Sequence, residues 1–223
     1  MSFLFKYRDS DSSFVSFIYH TQSIQADRFI SHAANQWEMA IMRQYGKSRL
    51  TIRGPETKAK FAPIPKDAEF LGIVFKPGVF MPDMPVSGFV DKEIVLPDAC
   101  HHSFHLLGDS WEFPCFENAD SFIARLIHQD LLVHDPIVDA VLQNQAQALS
   151  LRTIQRRFLK ATGMTQGTFQ QIERAHYAVS LLEQGVSILD TVFEAGYADQ
   201  PHLTRSLKRF MGQTPAEITT IAF

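Results

Sequence analysis

The chain has 223 residues, enough for a substantial core and for one domain or two. With 45% hydrophobic and 20% charged residues and a net charge of −3, it is excluded from the disordered, fibrous and globally basic classes. Two cysteines, Cys100 and Cys115, make no disulfide framework, and neither a signal-like N-terminus nor a run of 18 apolar residues occurs, which predicts a cytoplasmic protein with no membrane partner. Charge is unevenly spread. Residues 1–135 carry 13 Lys and Arg against 17 Asp and Glu, whereas residues 136–223 carry 8 against 7. Any attraction for nucleic acid must therefore be local, and steeply salt-dependent.

From Ser12 to about Pro97, short runs rich in Ile, Val, Phe, Tyr and Thr alternate with Gly, Pro and Asp. SFVSFIYH (13–20), EMAIMRQY (38–45), SRLTIRG (48–54), KAKFAPI (58–64), EFLGIVF (69–75) and FVDKEIVL (89–96) each read as a strand. Strands at this spacing predict a β-rich domain over residues 1–115, a small barrel or sandwich able to enclose a pocket. Pro97-Asp98 ends the strands and predicts a helix reaching His105 or Gly108. On such a helix His101 and His105 fall one turn apart, and with Cys100 they are weak candidates for a metal site. No paired Cys-x-x-Cys accompanies them, and polar decoration of a short surface helix is the plainer reading. No G-x-S-x-G and no phosphate-cradling glycine loop occurs, so no enzymatic activity and no cofactor are expected.

A linking helix is expected within residues 116–135. Phe122, Ile123, Leu126, Ile127 and Leu131 recur at helical spacing across Ala119–Val133, with Asn118 or Asp120 as cap. It either pairs two copies or only closes the β-rich domain. His134-Asp135-Pro136 marks the next boundary, because proline restarts a helix cleanly.

Residues 136–223 read as all-α, making the chain α+β. One helix is expected at about Ile137–Ala146. Ser150 then stands at an N-cap position, followed by Leu151, Ile154, Phe158 and Ala161 as an apolar face. Arg152, Arg156 and Lys160 repeat every four residues on another face, with no acid between Ser150 and Ala161, which suits phosphates and base edges. A long helix is predicted over Gln166–Glu183, with Phe169, Ile172, Ala175, Val179 and Leu182 on one side and Gly185 as its stop. Asp199 caps a further helix in which Leu203, Leu207 and Phe210 form the buried stripe. Its opposite face offers Gln200, Thr204, Arg205, Lys208 and Arg209. A charged helix face is usually just solvated. Its recurrence in two units with matching apolar frames points instead to a duplicated reading head.

At these residues the chain resembles a family. LSLRTIQRRFLKATGMT, followed by AGYADQPHLTRSLKRFMGQTPAEI, is similar to the AraC/XylS class of transcriptional regulators, most densely from Ala195 to Ile218. The resemblance implies two helix-turn-helix units bridged by a long helix, double-stranded DNA as partner, and RNA polymerase as the target of activation. Carried onto this sequence, it implies base contacts by Arg152, Gln155 and Arg156 in the first unit and by Gln200, His202, Thr204 and Arg205 in the second. Lys160, Lys208 and Arg209 would meet phosphates. The chemistry fits: Arg can fork onto guanine, Gln onto adenine, and Lys neutralises backbone charge. FLGIVFKPGVF resembles the G-x-x-F-x-PG-x-F turn of the family's short sensor domains, which implies a small-molecule effector or a homodimer contact there.

Two departures carry expectations of their own. Thirteen residues separate Pro136 from Ser150, where the family fits two helices, so one helix must support the first unit. The alternative that follows is an effector-binding or interaction protein whose DNA binding is degenerate and non-specific. Bulky Phe193, where the family favours a small residue, predicts repacking of the second unit.

Overall fold

The computed structural model describes residues 3–100 and 102–221. Its first part holds β1 (Phe3–Arg8), β2 (Val15–Ser23), β3 (Asp27–Ser31), β4 (Glu38–Gln44), β5 (Lys47–Arg53), β6 (Lys60–Ile64), β7 (Ala68–Phe75), β8 (Val79–Phe80) and β9 (Glu93–Val95). Six of these form one antiparallel sheet in the order β1-β2-β7-β4-β5-β9. Alternation sets its two faces. Ile18, Met39, Ile41, Leu50, Ile52, Leu71 and Ile73 point inward and are fully buried. β1 and β9 remain unpaired edges, so the sheet is open and does not close into a barrel; a sandwich-like layering is what the sequence achieves. The run at 58–64 leaves this sheet: β6 pairs only with β3, an arrangement that leaves Pro63 at an edge where its missing N–H does no harm. Gly72 is required where it stands, because a Cβ there would lie 2.0 Å from the Tyr19 ring that crosses it.

The expected helix after Pro97 is not formed. Residues 98–112 make a three-stranded meander of β10 (Asp98–Cys100), β11 (Ser103–Leu106) and β12 (Asp109–Glu112). Its cause is the Leu107-Gly108 dipeptide, which takes φ values of 49° and 95° and closes a two-residue hairpin of the kind that matches strand twist. Phe104, Leu106 and Trp111 then alternate inward, a period of two that a helix would have scattered. α1 (Ala119–His128) follows, shorter than expected, and buries Ala119, Phe122, Ile123 and Leu126. Phe122 meets Phe104 and Trp111 edge-on. Asn118 sits at the cap position without a side-chain cap bond; it accepts from the Cys115 amide instead.

β13 (Val133–His134) pairs with β8 and brings the chain to a run of helices: α2 (Pro136–Leu142), α3 (Leu151–Thr162), α4 (Gln166–Glu183), α5 (Ile188–Glu194), α6 (Gln200–Phe210) and α7 (Pro215–Ile221). Their starts carry side-chain caps, those at Ser150 and Asp199 as expected. Asp135, Ser150, Thr165, Ser187 and Asp199 accept from the amides of Ile137, Thr153, Thr168, Asp190 and His202. α4 spans the expected residues, although Ala178 and Leu181 join its buried side and Val179 is only half-buried. Among the described residues, no helix is long and apolar enough to cross a membrane.

The two parts share one continuous apolar core, in which Val86, Phe89 and Phe75 meet Phe158, Ala161 and Phe169 through intermediates. Gly163, the α3 C-cap at φ 77°, lies where a Cβ would be 2.6 Å from the Val90 side chain. Polar ties reinforce the contact. Asn35 donates to Glu173 at 2.5 Å, and His176 Nε2 lies 2.7 Å from the Ala33 carbonyl. The Ala33 and Ala59 amides donate to the Phe210 and Arg209 carbonyls at 2.7 and 2.9 Å. Those carbonyls end α6, where intrahelical partners run out.

Candidate nucleic-acid interface

Two short helices carry the sequence-selected side chains. In α3 the apolar side holds Phe158 and Ala161 against the β-rich part, with Ile154 half-buried. Leu151 does not join them: it is 78% exposed. Arg152, Gln155 and Arg156, at i, i+3 and i+4, share one exposed side and have no side-chain partner among the described residues. Lys160 is exposed too, but its ammonium sits 5.2 Å from the centre of the Phe80 ring. Phe80 belongs to the turn that the sequence flagged as FLGIVFKPGVF, so that turn touches the first unit directly.

Arg157 carries a function that sequence reading missed. Its guanidinium grips Asp135 with two hydrogen bonds, at 2.8 Å from Nε and 2.6 Å from Nη2. Asp135 therefore caps α2 and anchors α3 at once. Burial pushes its carboxyl upward, but the Arg157 hydrogen bonds, the Ile137 amide and the Arg157 charge outweigh that and hold it below the ordinary aspartate range. Adjacent cations in QRRF look alike in sequence; only the fold separates the paired Arg157 from the free Arg156.

In α6 the expected stripe is formed. Leu203, Leu207 and Phe210 are buried, and Gln200, Arg205, Lys208 and Arg209 are exposed. Arg205 has no partner among the described residues, whereas Arg209 lies over the Phe210 ring at 4.9 Å. Thr204 is half-buried and donates to the Gln200 carbonyl of its own helix at 2.9 Å. His202 turns from this stripe and packs edge-on against Tyr197 at 5.1 Å, with Nδ1 3.5 Å from the Ala198 amide. The turn before α6 is braced from within: the Tyr197 and Ser206 hydroxyls are 3.0 Å apart, and Arg174 stacks 4.5 Å over the Tyr197 ring while donating to the Gly196 carbonyl. Phe193 causes no repacking. It is 80% exposed, because α5 is rotated so that Thr191 and Val192 face the core instead.

Of the metal candidates, only His105 has a described side chain. His105 lies on the exposed side of β11, and His101 falls outside the described residues. Cys100 is on β10, and no group of three metal-ligating side chains exists among the described residues.

A cleft of about 500 Å³ opens between the two parts of the chain. Asn35, Gln36 and Pro77 line it on one side, and Leu142, Phe169, Gln170 and Glu173 on the other.

Residues 145–220 match the helix-turn-helix domain family, a span that covers α3 to α6 and most of α7. The HTH-type transcriptional regulator RipA of Corynebacterium glutamicum is 37% identical over 99 residues, 44% of this chain and 30% of that one. RipA of Corynebacterium diphtheriae is 31% identical over 98 residues, 44% of this chain and 29% of that protein. The chain thus spans under a third of the length of these curated relatives. Among solved structures, ToxT from Vibrio cholerae O395 aligns over 98% of this chain and 99% of its own, at 10% identity and a TM-score of 0.43.

Proposed function

We propose that the chain is a sequence-specific DNA-binding transcriptional regulator of the AraC type, with an N-terminal part, residues 1–115, that senses a signal; its residues 145–220 match the helix-turn-helix domain family. Residues 116–135 link that part to the reader, residues 136–223. One observation carries the reading: the family match coincides with two capped amphipathic helices, α3 and α6, whose outward sides hold Arg152, Gln155 and Arg156 and then Gln200 and Arg205. Arg and Gln on a helix face are the side chains that fork onto base edges in a major groove. Lys208 and Arg209 follow Arg205 toward the helix end, suited to phosphates.

The direct contacts between the β-rich part and α3, α4 and α6 give a signal a route to the reader. The cleft between Gln36 and Gln170 supplies a place for it, and its amide and carboxylate lining favours a small polar effector with hydrogen-bond donors. Binding there would shift the population between arrangements of α4 on the β-rich part. Activation through RNA polymerase is the outcome the resemblance implies.

The test is binding of the purified chain to DNA upstream of its own and neighbouring genes, against random DNA, at two salt concentrations. A protected site that survives the higher salt supports the proposal. Losses that are equal on all DNA, with and without candidate effectors, overturn it in favour of a non-specific binder. That second reading has one observation behind it: Lys160 and Arg157 are both turned toward the protein.

A further inference from the structure

Two strands of the β-rich part stay outside its main sheet, and the ribbon they form is docked on the end of α6. β3 pairs with β6 alone, setting Ile30 across from Phe61 and Arg28 across from Pro63. Ile30 and Ala59 abut the turn that ends α6: a Cβ on Gly212 would lie 2.9 Å from the Ile30 side chain and 3.2 Å from the Ala59 Cβ. The backbone leading into β6 is pinned from three sides. Glu56 and Ala34 exchange hydrogen bonds at 2.8 and 2.9 Å, Thr57 donates to the Asp91 carboxylate from its amide and its hydroxyl at 2.7 and 2.6 Å, and the Ala59 amide donates to the Arg209 carbonyl. Lys58 stands inside this clamp, exposed and without a side-chain partner among the described residues.

On the premise that α6 reads a major groove, we propose that Lys58 and Arg28 bind backbone phosphates beside that groove, so that the β-rich part is itself a DNA contact. A helix with its side chains is about 10–12 Å across and the major groove about 12 Å wide, so phosphates run along both flanks of a seated α6. Lys208 and Arg209 address them from the helix. Lys58 addresses them from beside it, since one peptide unit separates its Cα from the amide bonded to the Arg209 carbonyl. Arg28 shares the ribbon face of Ile30, and its guanidinium lies 5.1 Å over the ring of Phe61, which is 67% exposed. Stacking holds the fork extended and leaves its N–H groups free for a phosphate. Nearby acids are already engaged: Glu56 holds Lys60 at 2.7 Å and Ser31 at 2.7 Å, and Asp91 holds Thr57. Asp27 points to the opposite face of the ribbon from Arg28. An exposed lysine is ordinarily just solvated. Lys58 differs in having a backbone fixed on both sides and bonded to the end of the reading helix.

Affinity of the full chain for its protected site and for random DNA, measured across a range of salt, tests this. Lys58→Ala and Arg28→Ala are each expected to weaken both DNAs alike, by about threefold, and to flatten the dependence of log K on log salt by about 0.9. Hydroxyl-radical footprints of the two variants should lose protection of the flanking phosphates and keep that of the groove itself. Lys47→Ala is the control, because Lys47 is exposed and unpartnered among the described residues but sits at the hairpin end of β5, away from the ribbon. An equal effect from Lys47→Ala would reduce the cations to overall charge and overturn the proposal. So would a salt dependence that neither Lys58→Ala nor Arg28→Ala changes, and in that case the reading role of α6 still stands. A loss on the specific site alone, with the salt dependence intact, overturns it in favour of a positioning role for the ribbon. A wild type that binds no DNA overturns both.

Discussion

Arg205 and Lys208 stand three residues apart on one exposed helix side, yet they are expected to fail differently. Arg205→Ala should relax sequence preference, costing about 1 to 3 kcal/mol on the specific site and little on random DNA, whereas Lys208→Ala should weaken all sequences alike. Titrations on specific and random DNA check this, and equal losses for both variants would sink the assignment. Asp135 is the second informative residue. Asp135→Asn keeps a cap for α2 and loses the Arg157 ion pair; Asp135→Ala loses both and should cost about 1 to 2 kcal/mol in denaturant unfolding. Because its carboxyl titrates below the ordinary range in the folded chain, its contribution is present at neutral pH and lost as pH falls from about 4 through that lowered value. In Asp135→Asn that part of the acid-side decline should be missing.

Elements in which cap, stripe and stop all lie within about 12 residues were legible beforehand. α3 and α6 began at Ser150 and Asp199 because a single hydroxyl or carboxylate closes the first turn, a local event that tertiary context did not override. The stretch after Pro97 was not legible, since apolar residues at 104, 106 and 111 fit a helix loosely and the decisive Leu107-Gly108 turn offers only a weak signal. The orientation of α5 was equally hidden. Phe193 belongs to the outward side because Thr191 and Val192 take the core, and Thr191 is fully buried with its hydroxyl unpartnered among the described residues. Phe193→Ala should therefore change stability by under ~0.5 kcal/mol. Thr191→Val should leave the melting temperature unchanged or raised, since it removes an unsatisfied polar group at nearly equal volume. A marked loss from Phe193→Ala would mean that α5 faces the other way.

For the molecule as a whole, the contact between the β-rich part and α4 is what sequence could not show, because Asn35 and Glu173 are 138 residues apart and neither stands in a motif. The same seam holds a charge conflict. Burial, then neighbouring His176, push the His32 imidazole below its ordinary value of 6.5, with Glu183 opposing. The unfolded chain thus binds the proton more readily, so this stabilisation is complete above about pH 6.5 and declines as pH drops below it. Thermal unfolding between pH 7 and 5 should show that decline, and His32→Asn should flatten it.

The amides that close the last turn of α6 come from Ala33 and Ala59, and both bonds are main chain to main chain. This pair of bonds is consequently invisible to alanine scanning, which finds alanine already in place. It is also indifferent to evolutionary drift in side-chain chemistry at these positions, provided the backbone path is kept. Only removal of the N–H itself severs it. Ala59→Pro is the substitution that would break the bond to the Arg209 carbonyl while every side chain of α6 stays intact.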